Sequence, residues 1–360
     1  MSEEILRRYN VVSYGDLRSE GLSTAEISRA KRCCLMNVCR GIYSIVAECP
    51  LPRHSRIRRL VDDHEWVEYV GSTSAEERLR DPRFQQHLAR LAVIHYPRYR
   101  SGDVAFGVSA ALLSELPLFD AELRRITVAH PRASTMTSEV RRLRRVTPDE
   151  DQTVIHGVRT AGPVRAGLEL ISWQGPPAGL AALDLALRMA VIATTGDTRL
   201  GSSNPRRMLT IGREIVGSEF VPAALRLKRG RQMALRILDM VSPLSESYAE
   251  SRCSFNLHQS GLHDFVQQWN VVHDGALLTR LDFLHRETMT ALAVDGVGKY
   301  ADAGPNRMKR ESYQHNTLLS MGFRVVHFTF PEVMNRKAFE LKLFEQVPEL
   351  LAFRRAPLLK

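Results

Sequence analysis

A chain of 360 residues is long enough for two or three domains, and with 44% hydrophobic and 25% charged residues it is neither disordered nor fibrous. The 50 basic and 40 acidic side chains give a net charge of +10, and residues 1–60 hold eleven of the basic and six of the acidic ones. A basic N-terminal segment is compatible with a polyanionic partner, although an arginine-rich composition without functional meaning explains it equally well.

The first segment, residues 1–50, is predicted to contain short helices followed by a β-ribbon. One helix is predicted over residues 13–19. A second begins at Ser23, because Glu26 lies three residues later and each side chain can bond the main-chain N–H of the other residue as a capping box. Apolar residues at three- and four-residue spacing extend this second helix to about residues 35–37.

Residues 38–45 are rich in β-branched and aromatic side chains with a break at Gly41, which predicts a short β-ribbon. Helix, turn, helix and ribbon is the order of a winged helix-turn-helix, whose second helix enters the major groove while the ribbon lies on phosphates. We therefore expect double-stranded DNA as a partner. The basic residues expected to contact its phosphates or bases are Arg29, Lys31, Arg32 and Arg40.

The middle segment, residues 51–243, has an α/β pattern that does not by itself indicate a role. A strand is predicted at residues 65–70, and helices are predicted at residues 178–192 and 226–240. Residues 141–145 include four arginines, a run that predicts either a solvated face or a nucleic-acid contact.

The third segment, residues 244–360, is predicted to form a mixed sheet flanked by helices. Asp274 and Gly275 form a turn dipeptide between two strand-like stretches, so these are predicted to be a hairpin. The whole segment follows the order α-β-β-β-α-β-α, with elements at residues 246–255, 269–273, 278–284, 290–294, 308–321, 323–330 and 332–346.

Two aspartates on neighbouring strands of this segment suggest a metal site. Asp282 lies within one strand and Asp295 ends the next, so their carboxylates could offer hard oxygen ligands to Mg²⁺. Such an ion activates water and stabilises the charge of an attacked phosphodiester. Glu250 on the preceding helix could add an oxygen, and Lys299 could position water. Asp295 also has an ordinary explanation as a turn residue, Glu250 as a solvated helix residue and Lys299 as a surface cation. Asp282 lies inside an apolar strand, where an unpaired carboxylate is costly, so it belongs either to a metal site or to a polar network.

The cysteines and the apolar runs indicate where the chain resides. Five cysteines without C-x-x-C spacing predict reduced, dispensable thiols, with little support for structural zinc, and the adjacent Cys33 and Cys34 are expected to be buried apolar filling. The longest apolar run contains Asp184 and Arg188 and is too short for a membrane span. The N-terminus lacks the apolar stretch of a signal peptide. A cytoplasmic location without a membrane partner is expected.

The third segment carries a series of spaced motifs at residues 246–252, 280–283, 291–300, 310–311 and 321–326. This series resembles a known family, the Vsr-like branch of the PD-(D/E)XK nuclease superfamily. That branch shows a helix with Glu-Ser-x-x-Arg, a strand with Asp-Phe, a strand with Glu-x-Asp-Gly-x-x-Lys-Tyr, and a helix and strand after them. The resemblance implies a restriction-endonuclease-like fold over about a third of the chain.

One departure from this family bears on activity. The acid of the family's third motif corresponds to Ala293, two residues before Asp295 and therefore on the same face of the strand. Without that carboxylate the expected metal site is weak. The resemblance thus favours a nuclease fold more strongly than nuclease activity.

The N-terminal segment resembles the winged-helix domain of AbiEi-family antitoxins, through Leu22 and Ser23 at the start of the second helix and residues 40–43 in the wing. Looser resemblances to the same architecture lie at residues 104–111, 116–118 and 157–160. This resemblance implies a regulator with a cognate toxin protein as a further partner.

Three hypotheses follow from the sequence. In the first, an AbiEi-like winged helix (residues 1–50), an α/β middle region (51–243) and a Vsr-like domain with an incomplete acid set (244–360) form a DNA-binding regulator. In the second, the winged helix targets an active Mg²⁺-dependent DNA endonuclease, with catalysis by Asp282, Asp295, Lys299 and Glu250 and metal bound by the two aspartates. In the third, the chain is a scaffold that binds no nucleic acid.

Overall fold

Three β-sheets organise the chain in a computed structural model that describes residues 8–295 and 305–359. The protein is mixed α/β. It divides into two compact units: unit 1 comprises residues 1–115 and 120–162, and unit 2 comprises residues 116–119 and 163–360. The three domain ranges stated above stay predictions.

Unit 1 begins with a small sheet and two short helices. In chain order these are β1 (Val11–Ser13), α1 (Tyr14–Ser19), α2 (Thr24–Ala30), β2 (Leu35–Cys39) and β3 (Ile42–Ile45). The strands pair antiparallel in the order β1-β3-β2. Buried side chains from both helices and all three strands form one core cluster.

The predicted capping box at the start of α2 is confirmed. The Ser23 Oγ accepts a hydrogen bond from the main-chain N–H of Glu26 at 3.2 Å, and the Glu26 carboxylate accepts one from the main-chain N–H of Ser23 at 2.7 Å. Ser13 caps α1 with Asp16 in the same way.

The predicted end of α2 at residues 35–37 is wrong. The helix ends at Ala30, and after a turn the chain becomes strand β2, in which Leu35 pairs with Ile45. The apolar spacing that suggests a longer helix arises because Cys34 and Leu35 enter the same core as the helix through a turn and a strand.

The rest of the described part of unit 1 adds five α-helices and a six-stranded sheet. The helices α3 to α6 are Ser55–Arg58, His64–Ser72, Ala75–Arg80 and Pro82–His95. The predicted strand at 65–70 is therefore wrong: these residues lie in α4, whose N-terminus is capped by Asp63 and whose Trp66 and Val70 are buried four residues apart on one face.

The six-stranded sheet has the order β6-β7-β5-β4-β9-β8. Its elements, with helix α7 between the first two strands, are β4 (Val104–Ala105), α7 (Val108–Leu113), β5 (Ile126–His130), β6 (Thr135–Met136), β7 (Val140–Arg144), β8 (Gln152–Ile155) and β9 (Val158–Ala161). Three of its neighbouring pairs are antiparallel and two are parallel, so the sheet is mixed.

Unit 2 starts with six helices, α8 to α13, at Pro163–Trp173, Pro176–Thr195, Leu200–Ser203, Pro205–Ile215, Val221–Leu225 and Arg231–Leu238. The helix predicted at 178–192 is confirmed as α9. The helix predicted at 226–240 is shorter, because Gly230 has a φ of +74° and α13 begins after it. Helices α8 and α9 pack so closely that a Cβ on Gly179 would clash with the side chain of Ile171.

Helix α9 has the length and composition to cross a membrane, and it is the only such helix in the described ranges. However, 56% of its apolar window is buried inside the protein. This burial is what a core helix shows, so α9 is weak support for a membrane span.

The remainder of unit 2 confirms the predicted order α-β-β-β-α-β-α, except that the last helix is divided in two. Its elements are α14 (Tyr248–Gln259), β10 (Phe265–His273), β11 (Ala276–His285), β12 (Thr290–Val294), α15 (Pro305–Ser320), β13 (Arg324–Phe328), α16 (Phe330–Met334) and α17 (Arg336–Gln346). The strands follow this order in the sheet; the first two pairs are antiparallel and the last is parallel. The Asp274-Gly275 hairpin turn is confirmed, with both residues at positive φ.

Candidate functional site

Two of the predicted acids meet where α14 approaches the sheet of unit 2. Glu250, in the first turn of α14, accepts hydrogen bonds from Ser247 Oγ at 3.0 Å, the main-chain N–H of Glu246 at 3.0 Å and Gln268 Nε2 at 2.9 Å. Asp282 on β11 accepts one from the main-chain N–H of Val294 at 2.9 Å. Both carboxylates are thus held by surrounding donors.

The two acids influence each other electrostatically. Burial raises the pKa of Glu250 to about 7, with a further contribution from the negative charge of Asp282. Burial likewise raises the pKa of the Cys253 thiol well above its ordinary value, and the charges of Asp282 and Glu250 add to this effect. A carboxyl group with a pKa near neutrality can exchange a proton at physiological pH.

A third acid belongs to this group and was not predicted. Asp184 of α9 is 1% exposed, and its Oδ1 accepts a hydrogen bond from the main-chain N–H of Ser242 at 2.8 Å. Burial raises its pKa to about 7, and the charge of Glu250 contributes. The only signal in the sequence was an acid within an apolar helical run. We call Asp184, Glu250 and Asp282 the acidic cluster.

Gln268 is a second residue that sequence reasoning missed. It is 2% exposed and has a φ of +54°, a strained value for a non-glycine residue. Gln267 pairs with Phe283 and Trp269 pairs with Leu281, so Gln268 lies opposite Asp282. With this distortion the side-chain amide of Gln268 donates its hydrogen bond to the Glu250 carboxylate.

The register of the sheet shows where the substituted family acid lies. The antiparallel β11–β12 ladder ends at the pair Phe283–Leu292, and one further step in the same register would bring Ala293 opposite Asp282. On its other side Ala293 pairs with His327 of β13. A carboxylate at position 293 would therefore be adjacent to Asp282 across the sheet.

The remaining predicted residues of this site are less informative. Asp295 follows β12, and its main-chain N–H donates to the Phe328 carbonyl at 2.9 Å. Lys299 lies outside the described residues. Glu250, Asp282 and Asp295 do not form a close group of three ligands in the described structure. Binding of Mg²⁺ by these acids therefore stays a prediction from the sequence.

All four basic residues predicted to contact DNA are exposed in unit 1: Arg29, Lys31, Arg32 and Arg40. The ammonium group of Lys31 lies 4.8 Å from the centre of the Tyr43 ring, which joins the end of α2 to strand β3. Arg40 occupies the turn between β2 and β3 and lines a cleft with Arg98 and Arg100. The last two arginines were not predicted, although Arg98-Tyr99-Arg100 is a basic and aromatic signal in the sequence.

The arginine run 141–145 is not a uniformly solvated face. Arg142 is 2% exposed and makes a two-pronged ion pair with the buried Asp103, with Nε–Oδ1 at 2.8 Å and Nη2–Oδ2 at 2.7 Å. The Arg145 guanidinium lies 5.1 Å from the centre of the Phe106 ring. Arg142 therefore has a structural role.

Three cysteines and one histidine gather beside α2 in unit 1. The ligand atoms of Cys33, Cys34, Cys49 and His54 all lie within 4.8 Å of one another. The expectation that Cys33 and Cys34 are both buried apolar filling is wrong, because Cys33 is exposed and the two thiols belong to this polar group. We call these four residues the Cys-His cluster.

Comparisons of the chain with protein-family models, with curated proteins and with solved structures gave no match. The AbiEi-like and Vsr-like resemblances therefore rest on the motifs in the sequence.

Proposed function

We propose that the chain is a DNA-binding protein in which α1, α2 and the β2–β3 ribbon act as a winged helix-turn-helix of the AbiEi-like regulator type. The observation that carries the proposal is the set of exposed cations at the end of α2 and at the tip of the ribbon. Two capped helices followed by an antiparallel ribbon have the element order that this motif requires.

The cleft beside the ribbon extends this basic surface. Arg40, Arg98 and Arg100 are exposed around it, and the side chains of Thr137 and Ser138 line it as well. Guanidinium groups and hydroxyls are the usual donors to phosphate oxygens. In the proposal, the cleft holds the DNA backbone next to the ribbon.

A binding experiment with a matched control tests the proposal. Changing Arg29 and Arg32 together to alanine should weaken binding to duplex DNA by at least about tenfold, and the slope of log affinity against log salt should fall by about 2 if each contacts one phosphate. The measurement is fluorescence anisotropy over a salt series.

Arg206 and Arg207 provide the control, since both are exposed on α11 and the double alanine variant loses the same charge. It should bind like the wild type. Equal weakening in both double variants would show that the loss of affinity comes from net charge alone. Unchanged binding in both would refute a role for α2.

For unit 2 we propose a nuclease fold with an incomplete metal site rather than an active nuclease. The support is the register of β11 and β12, which would bring Ala293 opposite Asp282 one step beyond the pair Phe283–Leu292, and the negative charge of Asp282 that acts on Glu250. Two acids without the third bind Mg²⁺ weakly, since the ion prefers a full set of oxygen ligands. The competing function is an active Mg²⁺-dependent DNA endonuclease.

Ala293→Glu separates these two functions. We expect the wild type to cleave plasmid DNA feebly or not at all with Mg²⁺ or Mn²⁺, and Ala293→Glu to gain metal affinity and cleavage. Ala276→Glu, at the exposed start of β11, is the matched control and should change neither property. Strong cleavage by the wild type that Asp282→Ala abolishes would establish the endonuclease instead.

A further inference from the structure

The Cys-His cluster has the dimensions of a tetrahedral metal site. The Cys33 Sγ lies 3.7 Å from the Cys34 Sγ and 3.8 Å from the Cys49 Sγ. Zn²⁺ with Zn–S bonds of about 2.3 Å has tetrahedral S···S edges of roughly 3.8 Å. These sulfur separations are far longer than a disulfide bond of about 2.05 Å.

His54 supplies the fourth ligand atom of the same tetrahedron. His54 Nδ1 lies 3.4 Å from the Cys33 sulfur, 3.7 Å from that of Cys34 and 3.2 Å from that of Cys49. With a Zn–N bond of about 2.0 Å, the S···N edges of a tetrahedron are roughly 3.5 Å. All three sulfurs thus surround one ring nitrogen at the distances expected for a shared ion.

The backbone holds these ligands in place through local hydrogen bonds. The main-chain N–H of Cys34 donates to Ala30 O at 2.9 Å, which fixes the turn after α2. The main-chain N–H of His54 donates to the Leu51 carbonyl at 2.9 Å, and the Arg58 guanidinium donates to the Cys49 carbonyl at 3.0 Å. The four ligands come from two chain segments, 33–34 and 49–54, brought together by the core of unit 1.

We propose that the Cys-His cluster binds one structural Zn²⁺ ion. Thiolate and imidazole donors suit zinc, whereas magnesium and calcium take oxygen ligands, so the donor set indicates the metal class. Three ligands are buried: Cys34 is 0% exposed, Cys49 is 5% and His54 is 1%. Zinc uses all four side chains, whereas one disulfide would leave a thiol and the imidazole over.

The ion would tie the end of α2 to the segment that follows β3. That link lies immediately beside Arg29, Lys31 and Arg32. Loss of zinc should therefore loosen the segment that carries these cations. This consequence for DNA binding rests on the proposed function, whereas zinc binding itself does not.

Metal content of the full-length chain tests the site. Protein purified without added metal should contain one zinc per chain by plasma mass spectrometry. Cys34→Ser and His54→Ala should lose it, and Cys39→Ser should retain it because this thiol lies outside the cluster. The metal-loaded wild type should also unfold at a higher temperature than protein treated with a chelator.

Cys33 provides a variant that should keep the protein folded, because this ligand is exposed. Cys33→Ser removes one exposed thiol, so the chain should stay folded by circular dichroism while a chelator removes zinc at lower concentration. After Co²⁺ substitution, the thiolate charge-transfer band of Cys33→Ser should fall by about a third relative to the wild type, because two of three thiolates remain.

Folded wild-type protein that contains no metal and also fails to bind added Zn²⁺ or Co²⁺ would overturn the site. An intact mass lower by two hydrogens would also overturn it, if the missing hydrogens map to a disulfide between two cysteines of the cluster. DNA binding measured on the same preparations separates the two proposals. Zinc-loaded protein that binds no DNA would refute the proposed function and leave the zinc site standing. Folded protein from which a chelator has removed the zinc and which still binds DNA normally would refute only the predicted effect of zinc on DNA binding.

Discussion

Asp103→Ala is expected to lower the free energy of unfolding of unit 1 by about 3–5 kcal/mol, because it leaves the buried guanidinium of Arg142 without its counter-charge. The carboxylate also accepts the main-chain N–H of Arg100 at 2.8 Å. Although burial raises the pKa of Asp103, the bonds from Arg142 and Arg100 outweigh it and lower the pKa overall. Urea unfolding at pH 7 measures the loss.

The exposed ion pair between Arg80 and Glu76 provides the control in the same unit. Glu76→Ala should cost less than about 1 kcal/mol, since solvent screens the pair. Changing both buried partners, as Asp103→Leu with Arg142→Met, should recover much of the loss because no charge stays buried. Equal effects of Asp103→Ala and Glu76→Ala would contradict the buried pair.

Asp184→Asn is expected to make the protein more stable at alkaline pH. Because the folded-state pKa of Asp184 is raised to about 7, the unfolded chain releases this proton first as the pH rises. The wild type therefore loses stability from about pH 4 to about pH 7, and the loss then stays constant. Asparagine does not ionise, so the advantage of Asp184→Asn should grow by about 2–3 kcal/mol between pH 5 and pH 9.

The amide suits the site because Oδ1 can still accept the main-chain N–H of Ser242, while the hydroxyls of Ser245 and Ser251, which hydrogen-bond the carboxylate, can accept from an amide N–H. Asp239→Asn, on an exposed residue after α13, is the matched control and should follow the wild-type pH profile. The measurement is the unfolding free energy in urea at both pH values. A constant difference between Asp184→Asn and wild type would show that Asp184 is already ionised at pH 5.

Short-range features were predictable from the sequence. The capping box at Ser23 and Glu26 forms because both partners lie within one helical turn. The hairpin at Asp274 and Gly275 forms because these residues accept positive φ in a two-residue turn. The chain order of the third segment follows for the same reason, since each of its elements carries its own periodicity or turn.

The two mispredicted elements have different causes, a local helix cap in one case and long-range strand pairing in the other. Residues 65–70 are apolar and aromatic enough for a strand, but Asp63 caps a helix there, and Trp66 and Val70 both face inward. Leu35 continues the apolar spacing of α2, yet its pairing with Ile45 makes it part of a strand. Local propensity is weak compared with the burial and hydrogen bonding that a partner strand or core supplies.

The candidate sites likewise differ in whether their residues are close together in the sequence. By itself, the sequence determined that Asp282 and Ala293 lie on neighbouring strands and that basic residues cluster around α2, because such patterns are local in the chain. Only the tertiary structure placed Asp184 beside Glu250, with 65 intervening residues, and brought Cys49 and His54 to Cys33 and Cys34. Burial and metal-like geometry depend on which distant segments share a core, and no spacing rule in one chain encodes that choice.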